Sequence, residues 1–282
     1  MMKKVLAFVL AIFPALFFSV SEARPHSGNK SLTVMSYNIR YGSAEDGPNS
    51  WDIRKPATVS MIKDQAPDVM GVQEAFSFQI AYILEKCPDY GCVGISRLDP
   101  KDAEHPVVFY DKTTVELLDW GNFWLSETPD RVSFGWDAAC ERNATWALMR
   151  HRKSGREFYF VNTHLDHVGE TARAEGLKMV LARIGEMNGK GLPVVLTGDF
   201  NTTADDPALD VLDGKMLDAR YSAVKSSDAL TTYNGWGNSS TAIDYIFFNG
   251  FRRCLTYKTI QKQYDNAEFI SDHYPIKAVL TF

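Results

Sequence analysis

Several polar residues stand at the ends of apolar runs, where side chains are normally buried. The sharpest case is Leu192 to Asn201. Pro193 to Leu196 is apolar enough for a buried strand, breaks at Thr197 and Gly198, and then presents Asp199 and Asn201. Alternation along an extended chain places that acid and that amide on one face. Asn38 closes the run from Ser31 to Tyr37, Glu74 follows Asp68 to Val72, and His164 follows Glu157 to Val161. Asp244 lies inside Ala242 to Phe248, and Asp272 and His273 precede Ile276 to Leu280.

Each residue has an ordinary structural use: Asn38 as a turn cap, Glu74 as a helix cap, His164 as a satisfied core histidine, Asp244 as a hydrogen-bonded buried acid. Asp199 and Asn201 are both good turn formers. Together they ask for more, because each buried acid costs several kcal/mol unless it is paired or metal-bound. The set contains carboxylates, amides and two histidines without a thiolate cluster. Hard oxygen donors select Mg²⁺, or alternatively Mn²⁺ or Ca²⁺, over Zn²⁺. A hard cation beside two proton carriers suits hydrolysis of a phosphate ester.

The elements that must hold these groups are legible in outline. Helices are expected over Trp51 to Asp64, with Ile53, Ala57, Met61 and Ile62 near one face, over Phe76 to Lys86, and over Gly169 to Asn188. A short helix fits Asp205 to Leu212. A strand fits Tyr90 to Ile95. Val107 to Tyr110 and Thr114 to Trp120 read as a hairpin turning at Asp111 and Lys112, with loop from Gly121 to Asn143. Thr145 to Arg150 and Glu157 to Val161 read as a second hairpin, with the basic run Arg150 to Lys153 at its tip. Hairpins mixed with helix-linked strands predict an α+β or layered α/β fold.

The chain has 282 residues and a net charge of −5. Lys3 and Lys4 precede an apolar stretch from Val5 to Val20, and Ser21 and Ala23 supply small residues for cleavage. Residues 1–23 therefore read as a signal peptide and 24–30 as a flexible lead-in, with export to a periplasmic or extracellular location. Cleavage removes two lysines and one glutamate, leaving −6. An acidic exported chain is not an obvious polyanion binder. No further membrane span is expected, and the chain is expected to act as a monomer. The four cysteines are Cys87, Cys92, Cys140 and Cys254; export permits disulfides, and Cys87 with Cys92 is the first pair to test.

Ser36 to Ile39, Gln73-Glu74, Asn162 to His164, Gly198 to Asn201, Ile243 to Tyr245 and Ser271 to His273 occur in the order of the endonuclease/exonuclease/phosphatase superfamily, which the chain resembles over about residues 31–282. The resemblance implies one deoxyribonuclease I-like domain, a four-layer α/β/β/α sandwich, with a Mg²⁺-dependent site at one end of its sheets. It implies that Glu74 is the main metal ligand, with Asn38 and Asp272 contributing directly or through water. Asp199 would orient or deprotonate the attacking water, and Asn201 would hold a phosphate oxygen. His273 would contact the phosphate while Asp244 fixes its tautomer; His164 would be the acid for the leaving oxygen. Glu104 stands where some members place an acid that orients this histidine. Arg97 is a candidate phosphate contact, though the glycines common near it in deadenylase-like relatives are missing. Arg173 is a further candidate, with a solvated role as its rival. Phe123, Trp124, Trp136 and Trp236 are candidates for an aromatic rim, and Trp236, flanked by glycines, is the one expected to be exposed near the site.

The resulting expectation is a secreted Mg²⁺-dependent phosphoesterase acting on a small or lipid-linked ester. A secreted nuclease is the alternative, and a non-catalytic binding module on the same fold is a third reading.

Overall fold

The computed structural model describes residues 31–282; the leader and lead-in expected at 1–30 lie outside the described residues. In chain order the first elements are β1 (Ser31–Asn38), α1 (Trp51–Gln65), β2 (Val69–Ala75), α2 (Ser77–Lys86), β3 (Tyr90–Val93) and β4 (His105–Asp111). They are followed by β5 (Val115–Trp124), β6 (Asn143–His151), β7 (Glu157–His164), α3 (Glu170–Met187) and β8 (Val194–Asp199). The last are β9 (Leu217–Asp218), α4 (Ala219–Ser222), β10 (Lys225–Ser227), β11 (Asp244–Asn249), β12 (Arg253–Thr259) and β13 (Ile276–Thr281). Pro207–Leu212, expected as a short helix, is a 3₁₀ segment.

The strands form a seven-stranded sheet, β10-β12-β13-β1-β2-β4-β3, and a six-stranded sheet, β5-β6-β7-β8-β11-β9. Leu32, Val34, Val69 and Val108 of the first pack against Phe158, Phe160, Val195 and Ile246 of the second. The outer face of the first sheet, with Met35, Tyr37, Met70 and Val72, is covered by Trp51, Met61 and Ile62 of α1 and Ile83 of α2. The outer face of the second, with Val161 and Leu196, is covered by Leu177 and Val180 of α3. This is the expected four-layer α/β/β/α sandwich. Among the described residues no helix is long and apolar enough to cross a membrane.

The period of two along each strand explains how this fold delivers a site. On β1 the inward series is Leu32, Val34, Ser36, Asn38; on β7 it is Phe158, Phe160, Asn162, His164; on β8 it is Val195, Thr197, Asp199. β11 runs antiparallel to β8 and reads the same gradient backwards, Phe248, Ile246, Asp244. One end of the inter-sheet layer is therefore apolar, the middle neutral polar, and the other end charged. In the middle, Gln73 Nε2 donates to Asn162 Oδ1 at 2.7 Å and Thr197 Oγ1 to the same oxygen at 3.1 Å. Asn162 Nδ2 donates across the sandwich to the Val72 and Val107 carbonyls. These bonds let the amides be buried without the penalty of unpaired groups. Gly71 makes this approach possible, since a Cβ there would lie 2.2 Å from Thr197 Oγ1.

Three expectations fail. β4 and β5 are not a hairpin: β2 and β3 already occupy both edges of β4, so the chain crosses at the turn and β5 pairs with β6 in the other sheet. β5 also runs through Gly121 to Trp124, which were expected to be loop. On α1, Ile53 is 56% exposed, and Arg54 takes the buried face. Its guanidinium is satisfied there by the carbonyls of Ile39, Arg40, Asn49 and Ile270, which binds the end of β1 to the loop before β13. All four cysteines are free, so the Cys87–Cys92 pair, the first to test among the open pairings, is not joined here.

Candidate active site

The charged end of the inter-sheet layer opens into a cleft of about 490 Å³. Register places His164 and Asp244 on either side of Asp199, in neighbouring strands. From the opposite sheet, Asn38 Nδ2 donates to Asp199 Oδ2 and to Glu74 Oε1, both at 2.9 Å. The Asn38 oxygen accepts the Arg40 N–H. In this geometry Asn38 is an amide clamp between two carboxylates.

Glu74 sits where the β2–β4 register slips, with φ of +63°. Positive φ is uncommon for a non-glycine residue and marks functional sites often enough to warrant a closer look. Its second oxygen accepts the Tyr41 N–H. Among the described residues no cation lies within ion-pair distance of Glu74, although Asp272, across the cleft, has Arg40 at 3.7 Å. Oxygens of Glu74 and Asp199 and a nitrogen of His164 all fall within 4.8 Å of one another, as do ligand atoms of Asp199, Asp244 and His273. A half-buried acid lacking a counter-ion, beside further carboxylates, fits a hard divalent cation. Asp272 remains a second candidate oxygen donor.

His273 is held on two sides. Nδ1 lies 2.8 Å from Asp244 Oδ2 and Nε2 lies 3.6 Å from Asp199 Oδ2. Burial alone would lower its pKa, but the Asp244 and Asp199 charges outweigh burial and hold the ring in its cationic form. Burial and the Asp244 charge raise the Asp199 pKa as well, to about 7, far above the usual carboxylate range.

His164 differs from His273. Burial, with Arg142, His273 and Arg97 nearby, drives its pKa well below the ordinary value, so the ring is neutral. Asn201 Nδ2 donates to the Leu165 carbonyl at 3.0 Å, an acceptor only, which fixes which end of the amide is nitrogen. The same nitrogen lies 2.9 Å from His164 Nε2, so Nε2 accepts and the ring proton sits on Nδ1. Nδ1 faces Glu104 Oε2 at 3.9 Å. Asn201 reaches this position through a left-handed turn, φ +52°, not through continued strand alternation.

Arg97 and Glu104 both line the cleft, paired at 2.8 Å. The aromatic expectations fail. Phe123 and Trp124 are buried, and Trp124 Nε1 donates to the Arg97 carbonyl, supporting that residue from behind. Trp136 lies on a groove along α3. Trp236 is half-buried against Phe269 and Arg54 and does not line the cleft. Arg173 is neither a phosphate contact nor solvated: it is buried, donating to the Asp166 carbonyl with Asp206 at 3.8 Å.

The cleft also contains residues that sequence reasoning missed. Tyr233 packs its ring 5.0 Å from that of His273, and Arg40, Tyr41, Cys140, Arg142 and His167 complete the walls. Arg40 stands two residues beyond Asn38 and His167 three beyond His164, so proximity to a motif could have marked them. Arg142 and Tyr233 come from loops with no such signal.

The family model described as the Endonuclease/Exonuclease/phosphatase family matches residues 35–273, from β1 to the His273 loop. The chain belongs to this family. It is accordingly a divalent-metal-dependent phosphoric ester hydrolase. Among solved structures it is similar to a mannosyl-6-phosphatase of Bacteroides thetaiotaomicron VPI-5482, at 33% identity and a TM-score of 0.85, covering 89% of this chain and 100% of that one. An endonuclease/exonuclease/phosphatase of Bacteroides vulgatus is alike at 33% identity and a TM-score of 0.84, covering 89% and 99%. Among curated proteins, nocturnin of Drosophila melanogaster is 24% identical over 87% of this chain; the chain spans 44% of nocturnin's length.

Proposed function

We propose that the enzyme is a Mg²⁺-dependent phosphomonoesterase acting on a small polar phosphate ester, with a sugar phosphate as the leading substrate class. The observation that carries this reading is the likeness, over the whole of that chain, to a protein named mannosyl-6-phosphatase. Two features support it. The cleft is small, and its walls are mostly ionic or hydrogen-bonding, with Ile243 among the few apolar groups. The net charge of −5 offers little to a nucleic-acid backbone, which counts against the nuclease alternative.

In this reading Glu74 and Asp272 would hold the cation, with Asn38 spacing Glu74 from Asp199. Mg²⁺ supplies neutralisation of phosphoryl charge. Asp199, its pKa raised toward neutrality, is the base that orients and deprotonates water; His273, already cationic, serves as the donor to a phosphoryl oxygen. Asp244 keeps that ring charged and oriented. Asn201 would donate to a second phosphoryl oxygen once His164 Nε2 is protonated and no longer accepts its N–H. His164 takes up a proton when the negative ester enters and offers it to the leaving oxygen, with Glu104 facing its other nitrogen. Arg97 holds Glu104 in place. The N-terminal leader directs export, which N-terminal sequencing of the mature protein tests.

The deciding experiment compares turnover of a hexose 6-phosphate, an aryl phosphate, a bis-aryl phosphodiester and single- and double-stranded DNA by purified protein with Mg²⁺. Monoesters are expected to be cleaved fastest, with chelator abolishing and Mg²⁺ restoring the rate. Faster cleavage of the diester or of DNA would replace this reading with the nuclease one.

A further inference from the structure

The cleft holds a third histidine, exposed, that the reaction above does not use. His167 shares a wall with Arg142 and Cys140. Arg142 Nη2 lies 3.2 Å from His167 Nδ1. A guanidinium can only donate, so Nδ1 is the acceptor and the ring proton sits on Nε2. That N–H has no hydrogen-bond partner among the described residues. The Arg142 side chain is more than nine-tenths buried, and its Nε also lacks a hydrogen-bond partner.

Cys140, Asp166 and His167 bring potential ligand atoms within 4.8 Å of one another, which suggests a second cation site. The surroundings oppose it. Arg97 Nη1 lies 3.3 Å from Cys140 Sγ, Arg142 Nε lies 3.5 Å from Asp166 Oδ2, and the Asp166 carboxylate already accepts the N–H groups of Ala139, Val168 and Gly169. Two guanidiniums against the trio repel a cation. The wall is not a bare anion site either. Glu104 and Asp166 offset Arg97 and Arg142 charge for charge. What remains is neutral overall, with donors and acceptors interleaved. A hydroxyl group both donates and accepts and suits such a wall, whereas a second phosphate or a carboxylate only accepts and would meet two carboxylates.

We propose that the Arg142–His167 wall is the alcohol subsite, recognising the hydroxyl groups of a polyhydroxylated alcohol whose phosphate lies at the catalytic cluster. His167 Nε2–H donates to a substrate hydroxyl oxygen; Arg142 is a positioning residue that fixes the tautomer. This inference rests on the phosphomonoesterase reading.

Two measurements test it. The first is calorimetric binding to the full chain with Mg²⁺, in an Asp199→Asn background so that no ester is turned over. A hexose 6-phosphate should bind at least ~10-fold tighter than inorganic phosphate, about the worth of one hydrogen bond. His167→Ala and His167→Phe should reduce that preference to under ~2-fold without altering phosphate affinity, and His167→Gln, whose amide can donate from a similar position, should restore part of it. No preference in the parent protein, including no binding of either probe, overturns the proposal, as does a preference that survives His167→Ala. The second is a ¹⁵N histidine spectrum at neutral to alkaline pH, in which His167 should be protonated on Nε2; protonation on Nδ1 overturns the pairing with Arg142. A chain that hydrolyses neither monoester but keeps the binding preference retains the subsite and loses the functional reading. A chain that hydrolyses both, with a preference indifferent to His167, does the reverse.

Discussion

The two ring nitrogens of His273 face two buried carboxylates, Asp244 at 2.8 Å and Asp199 at 3.6 Å. This bracketing divides the labour between them. Asp244 has its hydrogen bond to Nδ1, while Asp199 faces the cleft with its pKa raised.

Asp244→Asn keeps the shape of that arrangement and removes the charge that stabilises the imidazolium. Turnover should fall by ~10²-fold or more, as for loss of an acid–base partner, with the Mg²⁺ requirement unchanged. Steady-state kinetics across a Mg²⁺ titration checks both. Near-normal kcat would show that His273 does not need its partner.

Glu74→Gln keeps the side chain's shape and one of the two hydrogen bonds from Asn38 and Tyr41, since an amide has a single acceptor oxygen, and removes the acid that has no counter-ion of its own. Activation by Mg²⁺ should require ~10-fold or more metal, with part of the rate recovered at saturation. If the variant is fully active at the wild-type Mg²⁺ concentration, the cation is bound elsewhere.

Asp166 links the two loops that form the Arg142–His167 wall, accepting N–H groups from Ala139 and Cys140 on one and Val168 and Gly169 on the other. Burial alone would raise its pKa, but those N–H groups and the Arg142 charge hold it well below the usual carboxylate range. A folded pKa below the unfolded value of ~3.9 means stability that is present above about pH 4 and is lost as pH falls below it. Asp166→Asn should cost about 2 kcal/mol at pH 7, and the gap to wild type should shrink toward pH 3. Denaturant midpoints at both pH values measure it; a pH-independent gap would assign the loss to shape and not charge.

Gly71→Ala places a methyl group 2.2 Å from Thr197 Oγ1 and 2.5 Å from Asn162 Oδ1, in the neutral polar layer between the sheets. The overpacking should cost ~1–3 kcal/mol. An unchanged denaturant midpoint would mean that the sheets can separate there freely.

The inward series on β1, β7, β8 and β11 was legible in the residues, because side chains alternate along a strand whatever its partners. Asn38, His164, Asp199 and Asp244 continue apolar faces that must be buried, and that is a property of sequence. The mixed architecture and α3 were legible for the same reason of period. The hairpin expected at Asp111 was not, because a short polar turn between apolar runs looks the same whether the chain pairs with itself or crosses to another sheet. Only the occupied edges of β4 decided it. Ile53 was expected on the buried face with Ala57, Met61 and Ile62, but Arg54 takes that place because four carbonyls converge on its guanidinium.

Tertiary structure alone decided the electrical character of the site. Asp244 and Asp199 bracket His273 and raise its pKa, whereas burial, with Arg142 and Arg97 alongside, lowers that of His164, so two histidines with equal intrinsic pKa shift in opposite directions. Those neighbours arrive from distant strands and loops, and a carboxylate or a guanidinium a few ångströms away outweighs anything local. The sequence by itself determined which residues would be carried to one end of the sandwich. The packing of the two sheets and their loops determined which of them hold a proton, which hold a carboxylate apart, and which line the wall that the substrate alcohol meets.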